Sequence, residues 1–210
     1  MKTSNLRLSV LALSLATLSS AASAQFYIGG GVGKAQTTGV NGSGLVAAAT
    51  TATVSDGNNS KNSYKLYGGF QFSPIWGLEA QYSDLGNRTA LLVLSGGTVG
   101  TAQLSSRAAQ LSLAATGTLP LSNNFYLMGK LGASRNIIGS YNGTAGPANV
   151  SRGASTKTGL LAGLGVGYNI TKNWGARIEY ENFGKFASSN GTSGSPVKAD
   201  NWSISVKYSF

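Results

Sequence analysis

Seven charged side chains occupy alternating positions in stretches that are otherwise apolar or small. They are Lys65, Glu79, Lys130, Arg177, Glu179, Glu181 and Lys207. The chain contains no Cys and no His, which excludes zinc fingers, thiol nucleophiles, disulfides and Ser-His or Asp-His hydrolase sites. The four basic and three acidic groups can form ion pairs if the fold brings them together. Their chemistry therefore depends on the elements that position them.

The composition does not suit an ordinary soluble domain. Only 10% of the 210 residues are charged, and the formal net charge is +10. A soluble domain usually carries about 25 to 35% Lys, Arg, Glu and Asp on its surface. This chain has too few charged groups to cover an ordinary globule in water.

Residues 1–24 have the pattern of a signal peptide. Lys2 and Arg7 precede a short apolar stretch, which is followed by small residues ending in Ala22-Ser23-Ala24. The apolar stretch is too short for a membrane-spanning helix. The sequence therefore predicts two segments, a signal peptide at 1–24 and a mature domain at 25–210.

Apolar residues recur at every second position along the mature chain. At the C-terminal end, Trp202, Ile204, Val206 and Tyr208 alternate with Ser and Lys residues. This period is typical of strands with one apolar and one polar face. It predicts an all-β protein with eight strands, at 26–32, 64–72, 76–83, 110–113, 125–134, 160–168, 174–181 and 202–210.

The connections between these strands differ in length. Three are only a few residues long, whereas the other four are rich in Gly, Ser, Thr, Ala and Asn and cover 35–60, 85–102, 136–155 and 184–199. Within the second of these, the apolar stretch Leu91 to Leu94 is able to extend the strands as a hairpin. Short turns at one end and long loops at the other predict an eight-stranded antiparallel transmembrane β-barrel of the outer membrane, with the short turns in the periplasm and the long loops outside the cell.

A soluble secreted barrel of the lipocalin kind is the competing fold, with its apolar face turned inward around a ligand. Two features favour the membrane barrel. Its predicted outer face is nearly free of charge, and aromatic residues cluster near the expected membrane borders, as in interfacial girdles. These aromatic residues are Phe26, Tyr27, Phe72, Trp76, Phe125, Tyr126, Trp174, Trp202, Tyr208 and Phe210.

Several segments resemble the transmembrane domain of the OmpA-like, opacity-type family of outer-membrane barrels. The sequence GLLAGLGVGYNITKNWGARIEYENFGK at 159–185 is similar to the last hairpin region of that domain. The sequences GLEAQY at 77–82, GKLG at 129–132 and KYSF at 207–210 are similar to its third, fifth and last strands. The resemblance implies that Tyr208 and Phe210 form the signal read by the barrel-assembly machinery. It does not extend to the periplasmic peptidoglycan-binding domain of larger members.

Strand parity places the seven charged residues of the first paragraph on the inward face. An eight-stranded barrel has an interior just wide enough for side chains. We therefore expect a lumen charge network in which these groups pair with one another or bind trapped water. The alternative is a set of independently solvated groups. Gly163, Gly165 and Gly167 are interpreted as small lumen residues that let a narrow barrel pack.

Nine other basic residues lie at or near the ends of the strands that carry the long loops. They are Lys34, Lys61, Arg88, Arg107, Arg135, Arg152, Lys157, Lys185 and Lys198. Asp56, Asp84 and Asp200 offset them in part, and the short-turn end offers little beyond Lys172. Because Arg and Lys suit phosphate oxygens, we expect a basic rim that faces lipopolysaccharide. Scattered solubilising charges on loops are the alternative.

The sequence predicts a non-enzymatic outer-membrane protein with a structural or surface-interaction role and with no cofactor and no metal. The expected partners are outer-membrane lipids including lipopolysaccharide, the assembly machinery, and host or phage ligands at the loops; nucleic acid is not expected. A small-solute or ion pore is the first alternative, and the soluble lipocalin-like barrel is the second. A lipid-modifying barrel enzyme is disfavoured because such enzymes commonly use a His base.

Overall fold

The computed structural model describes residues 25–38, 51–55, 60–95, 100–122, 124–139, 141–145, 148–152, 155–187 and 197–210. The predicted signal peptide at 1–24 lies outside the described residues. In the part of the chain that is described, no helix has the length and apolar character needed to cross a bilayer.

Eight long strands form the body of the protein. They are β1 Gln25–Thr38, β3 Ser60–Gln71, β4 Trp76–Ser95, β5 Gly100–Pro120, β6 Phe125–Ile138, β9 Ser155–Asn169, β10 Trp174–Ala187 and β11 Val197–Ser209. Three short strands lie in the connections: β2 Thr51–Ser55, β7 Tyr141–Ala145 and β8 Ala148–Arg152. β2 pairs with the far part of β4, and the β7–β8 hairpin joins β5.

The eight long strands close into an antiparallel barrel. Around the barrel their order is β4, β3, β1, β11, β10, β9, β6 and β5, and β5 pairs back to β4. Closure gives the backbone groups of each strand partners on both sides, which a bilayer interior demands. The predicted eight-stranded antiparallel barrel is confirmed.

Three short connections, around residues 72–75, 121–124 and 170–173, lie at one end of the barrel, here called the short-turn end.

The opposite end is built differently from the prediction. Residues 85–102 were expected to be a loop, yet β4 and β5 stay paired as far as Leu94 and Gly100. The hairpin extension considered for Leu91 to Leu94 therefore covers most of that segment, because its alternating apolar residues continue the ladder.

Burial is inverted relative to a soluble protein. On β9, Leu160 and Leu164 are 63% and 66% exposed, whereas Leu161 between them is 1% exposed. Large apolar side chains on every long strand face outward in this way, including Ile28, Leu66, Leu78, Leu113, Leu131, Ile178 and Ile204. The barrel thus presents an apolar band to its surroundings and keeps polar groups inside.

Aromatic side chains border this band as cross-strand pairs. The ring centroids are 4.7 Å apart in Phe26–Phe70 and in Phe125–Tyr168, and 5.0 Å apart in Trp174–Tyr208. Tyr27 and Tyr126 do not belong to this girdle, contrary to the prediction, because both are only 6% exposed and face the lumen. Each is next to an outward-facing Phe, and strand alternation forces adjacent residues onto opposite faces.

Two bulges with the same local design interrupt the ladder towards the end opposite the short turns. In Asp84-Leu85-Gly86 and in Asn182-Phe183-Gly184, the backbone N–H of the glycine donates to the Asp or Asn Oδ1 at 3.0 Å. The glycines have φ values of +80° and +66°, which other residues adopt only with strain. Both bulges leave the middle residue, Leu85 or Phe183, fully buried inside the barrel.

Candidate functional site

Six of the seven predicted lumen residues form one buried cluster, which we call the charge layer: Lys65, Glu79, Lys130, Arg177, Glu179 and Glu181. They come from four strands, with Lys65 on β3, Glu79 on β4, Lys130 on β6 and the other three on β10. None of the six is more than 5% exposed. Alternation along β10 places its three charged residues on one face, so this strand supplies half of the layer.

The ion pairs of the charge layer are shared rather than separate. Lys130 Nζ lies 2.8 Å from Glu79 Oε1, 2.8 Å from Glu179 Oε1 and 2.9 Å from Glu181 Oε1. Arg177 donates from both terminal nitrogens to Glu79 Oε2 at 3.0 Å. Lys65 pairs with Glu179 and lies 3.4 Å from Glu181 Oε2. Each carboxylate therefore contacts at least two cations, which offsets the large cost of burying its charge.

Glycines make room for these long side chains. Every residue of the charge layer has a glycine directly beside it on a neighbouring strand: Gly31, Gly69, Gly163, Gly165 or Gly167. A Cβ on Gly163 would come within 2.8 Å of Lys130 Cγ, and one on Gly165 within 2.8 Å of Glu179 Cγ. The glycine run on β9 therefore lies in the lumen, where side-chain volume is limiting.

Two inward tyrosines support the layer. The Tyr27 hydroxyl donates to Glu79 Oε2 at 3.0 Å, and the Arg177 guanidinium carbon lies 4.1 Å from the Tyr67 ring centroid. Arg177 Nε also donates to the Tyr67 hydroxyl at 3.2 Å. The guanidinium is held by a carboxylate and by an aromatic face, an arrangement that suits a buried Arg.

Lys207 is the one predicted lumen residue that lies apart from the charge layer. It is on β11, nearer the short-turn end, and its Nζ is 5.4 Å from the ring centroids of Tyr27 and Tyr126. It borders a vestibule of about 730 Å³ that the short turns surround. The charge layer forms the floor of this vestibule, since Arg177 lines it too.

An apolar cluster covers the charge layer on the side away from the short turns, and sequence reasoning missed it. We call Leu85, Leu161 and Phe183 the apolar cap; they belong to one buried cluster with several alanines. The backbone carbonyl of Phe183 accepts from Ser134 Oγ at 3.2 Å and from Asn136 Nδ2 at 3.0 Å. The repeated Asx-apolar-Gly sequence is the signal that could have identified two of the three residues, because Asx side chains and glycine favour such bulges.

The structure divides the nine predicted rim residues. Four of them are exposed on the outward face: Lys34, Arg107, Arg135 and Lys198. Lys61 and Lys157 instead occupy inward-facing positions, paired in register with the buried Ala35 and Asn136, and this departs from the expected outward rim. The side chains of Arg88, Arg152 and Lys185 lie outside the described part of the structure.

Arg107 already has an acidic partner just beyond the apolar band. Its Nε donates to Asp84 Oδ2 at 3.1 Å, and a terminal nitrogen of the guanidinium contacts the same oxygen. This hydrogen bonding lowers the pKa of Asp84 below its usual value. Lys34, Arg135 and Lys198 have no ion-pair partner among the described residues. These three outward cations are therefore available to bind an anionic ligand.

The described residues contain no group of three or more His, Cys, Asp or Glu placed to hold a metal ion. The three glutamates of the charge layer are engaged by cations of the protein itself. In chemical terms this arrangement can seal a narrow barrel and hold its strands in register.

An outward apolar band, aromatic borders and a charged interior together define a transmembrane β-barrel of the outer-membrane type. A sequence profile agrees: residues 8–210 match the family described as outer membrane protein beta-barrel domain. The chain belongs to this family of outer-membrane proteins.

Solved structures show the same fold at low sequence identity. Ail, the attachment invasion locus protein of Yersinia pestis, solved in complex with the heparin analogue sucrose octasulfate, aligns with a TM-score of 0.54 and 14% identity, over 90% of this chain and 99% of its own. OprG from Pseudomonas aeruginosa aligns with a TM-score of 0.56 and 16% identity, over 90% and 96% of the two chains. No curated protein matches the sequence.

Proposed function

We propose that the protein is a closed, non-enzymatic barrel of the outer membrane that acts as a structural and surface-interaction protein rather than as a pore. The observation that carries this proposal is the charge layer, whose six side chains are buried and paired with one another across the lumen. An ion that crossed the barrel would have to displace these pairs, and leaving a charge buried without its partner is costly. The apolar cap gives a second closure in series.

Conductance across a planar bilayer tests the closed barrel. The purified, folded protein is expected to give no steady single-channel current, while gramicidin added to the same bilayer gives current and shows that the membrane is competent. A steady current from the wild type, unchanged in the Glu79→Ala variant, would show that the charge layer does not close the lumen and would favour the small pore.

The surface role is assigned to the end opposite the short turns, which we place outside the cell. We define the basic rim by its three unpaired outward cations, Lys34, Arg135 and Lys198. Lys34 and Arg135 follow the outward Val32 and Ala133 on their strands, and Lys198 lies at the start of β11, so all three lie at the end of the barrel where an anionic headgroup would meet it. Lipopolysaccharide phosphates fit this site, since each contact near an anionic surface contributes about 1 kcal/mol, screened over about 8 Å at physiological salt. The polysulfated ligand of Ail is an anion of the same general kind.

Neutralising the rim tests this assignment. The triple variant Lys34→Gln, Arg135→Gln and Lys198→Gln should associate more weakly with lipopolysaccharide and should unfold at a lower temperature in bilayers that contain it. Its stability in neutral detergent should change little.

The matched control also removes three charges, from Lys61, Lys157 and Lys172. The first two face inward and the third lies at the short turns, so this variant should behave as wild type in both media. Equal losses in lipopolysaccharide bilayers and in detergent, or equal losses in the two triple variants, would show that the basic rim does not bind lipid.

The C-terminal strand carries the proposed assembly signal. Tyr208 and Phe210 form an edge-to-face pair with ring centroids 5.2 Å apart, and Phe210 is 67% exposed. The exposed Phe210 ring beside Tyr208 presents an aromatic surface that a receptor can contact. We therefore assign Tyr208 and Phe210 to recognition by the barrel-assembly machinery, and host or phage ligands to the opposite end.

A further inference from the structure

The charge layer is electrically balanced, and Lys207 lies on its short-turn side without a carboxylate partner among the described residues. Lys65, Lys130 and Arg177 match the three glutamates of the layer. The ammonium of Lys207 forms no ion pair or hydrogen bond with a described residue and has only the faces of Tyr27 and Tyr126. A cation that is largely removed from water is stabilised in part by aromatic rings, but an anion stabilises it more.

The vestibule beside Lys207 has the composition of an anion site. No Asp or Glu occurs among its described lining residues, whereas Lys172, Arg177 and Lys207 all line it. The hydroxyls of Thr116, Thr118 and Ser122 also come from lining residues. The charge of Arg177 is offset by Glu79, so the positive potential that a small anion meets from the short-turn end comes from Lys207 and Lys172.

Tyr126 provides a second, independent observation. This residue is 6% exposed and lines the vestibule, yet its hydroxyl has no hydrogen-bond partner among the described residues. Its ring lies against Gly167, where a Cβ would collide with it, so the position of the ring is fixed by packing. A buried hydroxyl without a partner is costly and is uncommon in proteins.

We propose that the short-turn vestibule binds a small oxyanion, either a carboxylate or a phosphate group, on the Lys207 ammonium with the Tyr126 hydroxyl as second donor. The anion offsets the charge of Lys207 on the short-turn side of the charge layer and satisfies the tyrosine. This site is distinct from the basic rim, which lies beyond the opposite side of the charge layer. Because binding is measured in detergent, this proposal can be tested separately from the proposed membrane orientation and from the proposed closure of the barrel.

Calorimetric titration of the full, folded chain in neutral detergent, with sodium phosphate and separately with sodium acetate, tests the proposal. Saturable binding of at least one probe is expected. Binding of phosphate alone assigns the site to phosphate groups, and binding of acetate as well assigns it to carboxylates too.

The variants separate this site from general charge effects. Lys207→Met and Tyr126→Phe should each weaken binding by about tenfold or more, as expected for hydrogen bonds to a charged ligand. Lys207→Arg should retain binding and shows that the position tolerates substitution. Lys61→Met, at an inward position near the opposite end of the barrel, should bind as wild type. Absence of saturable binding by both probes, or unchanged binding by folded Lys207→Met, would overturn the proposal.

Discussion

The charge layer and the apolar cap close the same lumen with opposite chemistry. In the layer, Lys130 alone contacts three carboxylates within 2.9 Å, and every member is a long charged side chain. In the cap, Leu85 and Phe183 are both 0% exposed and belong to one cluster of apolar side chains. One region depends on pairing and the other on packing.

The two regions therefore respond differently to loss of one side chain. Removing a partner from a buried ion network leaves a charge without compensation, whereas removing an apolar side chain leaves a cavity. Loss of an ion-pair partner has an electrostatic cost and opens a polar path through the layer. Loss of an apolar side chain has a packing cost and leaves the charge layer intact.

The largest effect is expected for Glu79→Ala, because Glu79 binds both Arg177 and Lys130. The change leaves two buried cations short of a partner and should lower the free energy of unfolding by on the order of 3 to 5 kcal/mol. Urea unfolding of the protein in lipid vesicles, followed by tryptophan fluorescence, measures it.

Gln110→Ala is the matched control for that variant. Gln110 is a buried inward side chain of nearly the same size as Glu79, and its amide atoms have no hydrogen-bond partner among the described residues. Gln110→Ala should lower the free energy of unfolding by clearly less than Glu79→Ala does. Equal losses in the two variants would mean that volume, and not charge, governs the layer.

Phe183→Ala should have the next largest effect, a loss of about 3 kcal/mol from the cavity left in the apolar cap. Its conductance in planar bilayers should stay at the wild-type baseline, because the charge layer still closes the lumen. Phe72→Ala, at an exposed Phe beside a short turn, is the control and should lose much less. A steady current through folded Phe183→Ala would show that the cap, rather than the layer, is the seal.

The alternation of side chains along a strand could predict the charge layer but not the apolar cap. Charged residues on uninterrupted strands, such as Glu79 and Arg177, need only the period of two to be placed inside. Leu85 and Phe183 lie beside glycines that resemble turn signals, so the strands were predicted to end there. Pairing in fact continues through the bulges, and the long β4–β5 hairpin was underestimated for the same reason.

The predicted strand boundaries set a second limit. Lys61 and Lys157 were grouped with the outward cations because the predicted strands began after them, at 64 and 160. β3 and β9 in fact begin at Ser60 and Ser155, so the period of two continues from Lys65 to Lys61 and from Gly163 to Lys157 and places both inward. The register, which pairs Lys157 with the buried Asn136, agrees.

Gly184→Ala tests whether the bulge holds the cap in place. The backbone at Gly184 has φ +66°, and a Cβ there would lie 2.9 Å from the Leu160 carbonyl oxygen. We expect a loss of about 1 to 3 kcal/mol in the same unfolding experiment. Gly129→Ala is the control, because a Cβ at Gly129 would meet no atom nearer than 3.7 Å. This variant should lose less unfolding free energy than Gly184→Ala. If both alanines cost the same, the bulge conformation is not what supports Phe183.

The smallest effect distinguishes the two bulges from each other. Asp84 is ionised and paired with the exposed Arg107, whereas Asn182 at the equivalent position is neutral. The hydrogen bond from Arg107 lowers the pKa of folded Asp84, so folding favours its ionised form. The stabilisation is therefore fully present above the unfolded aspartate pKa of about 3.9 and is lost as the pH falls through the lower folded pKa.

Asp84→Asn isolates this contribution, because the amide keeps an Oδ1 for the Gly86 N–H and loses only the charge. Wild type should exceed the variant by about 0.2 to 1 kcal/mol at pH 7, the range of exposed ion pairs. The difference should shrink as the pH falls below the unfolded aspartate value and should be lost once the pH is below the folded pKa, where wild-type Asp84 takes up a proton. It should also shrink at pH 7 in high salt because the pair is exposed to screening. Urea unfolding at pH 7 and in the acid range measures both. A difference that stays the same from pH 7 through the acid range would mean that the Asp84 bulge, like the Asn182 bulge, is held by its backbone hydrogen bond alone.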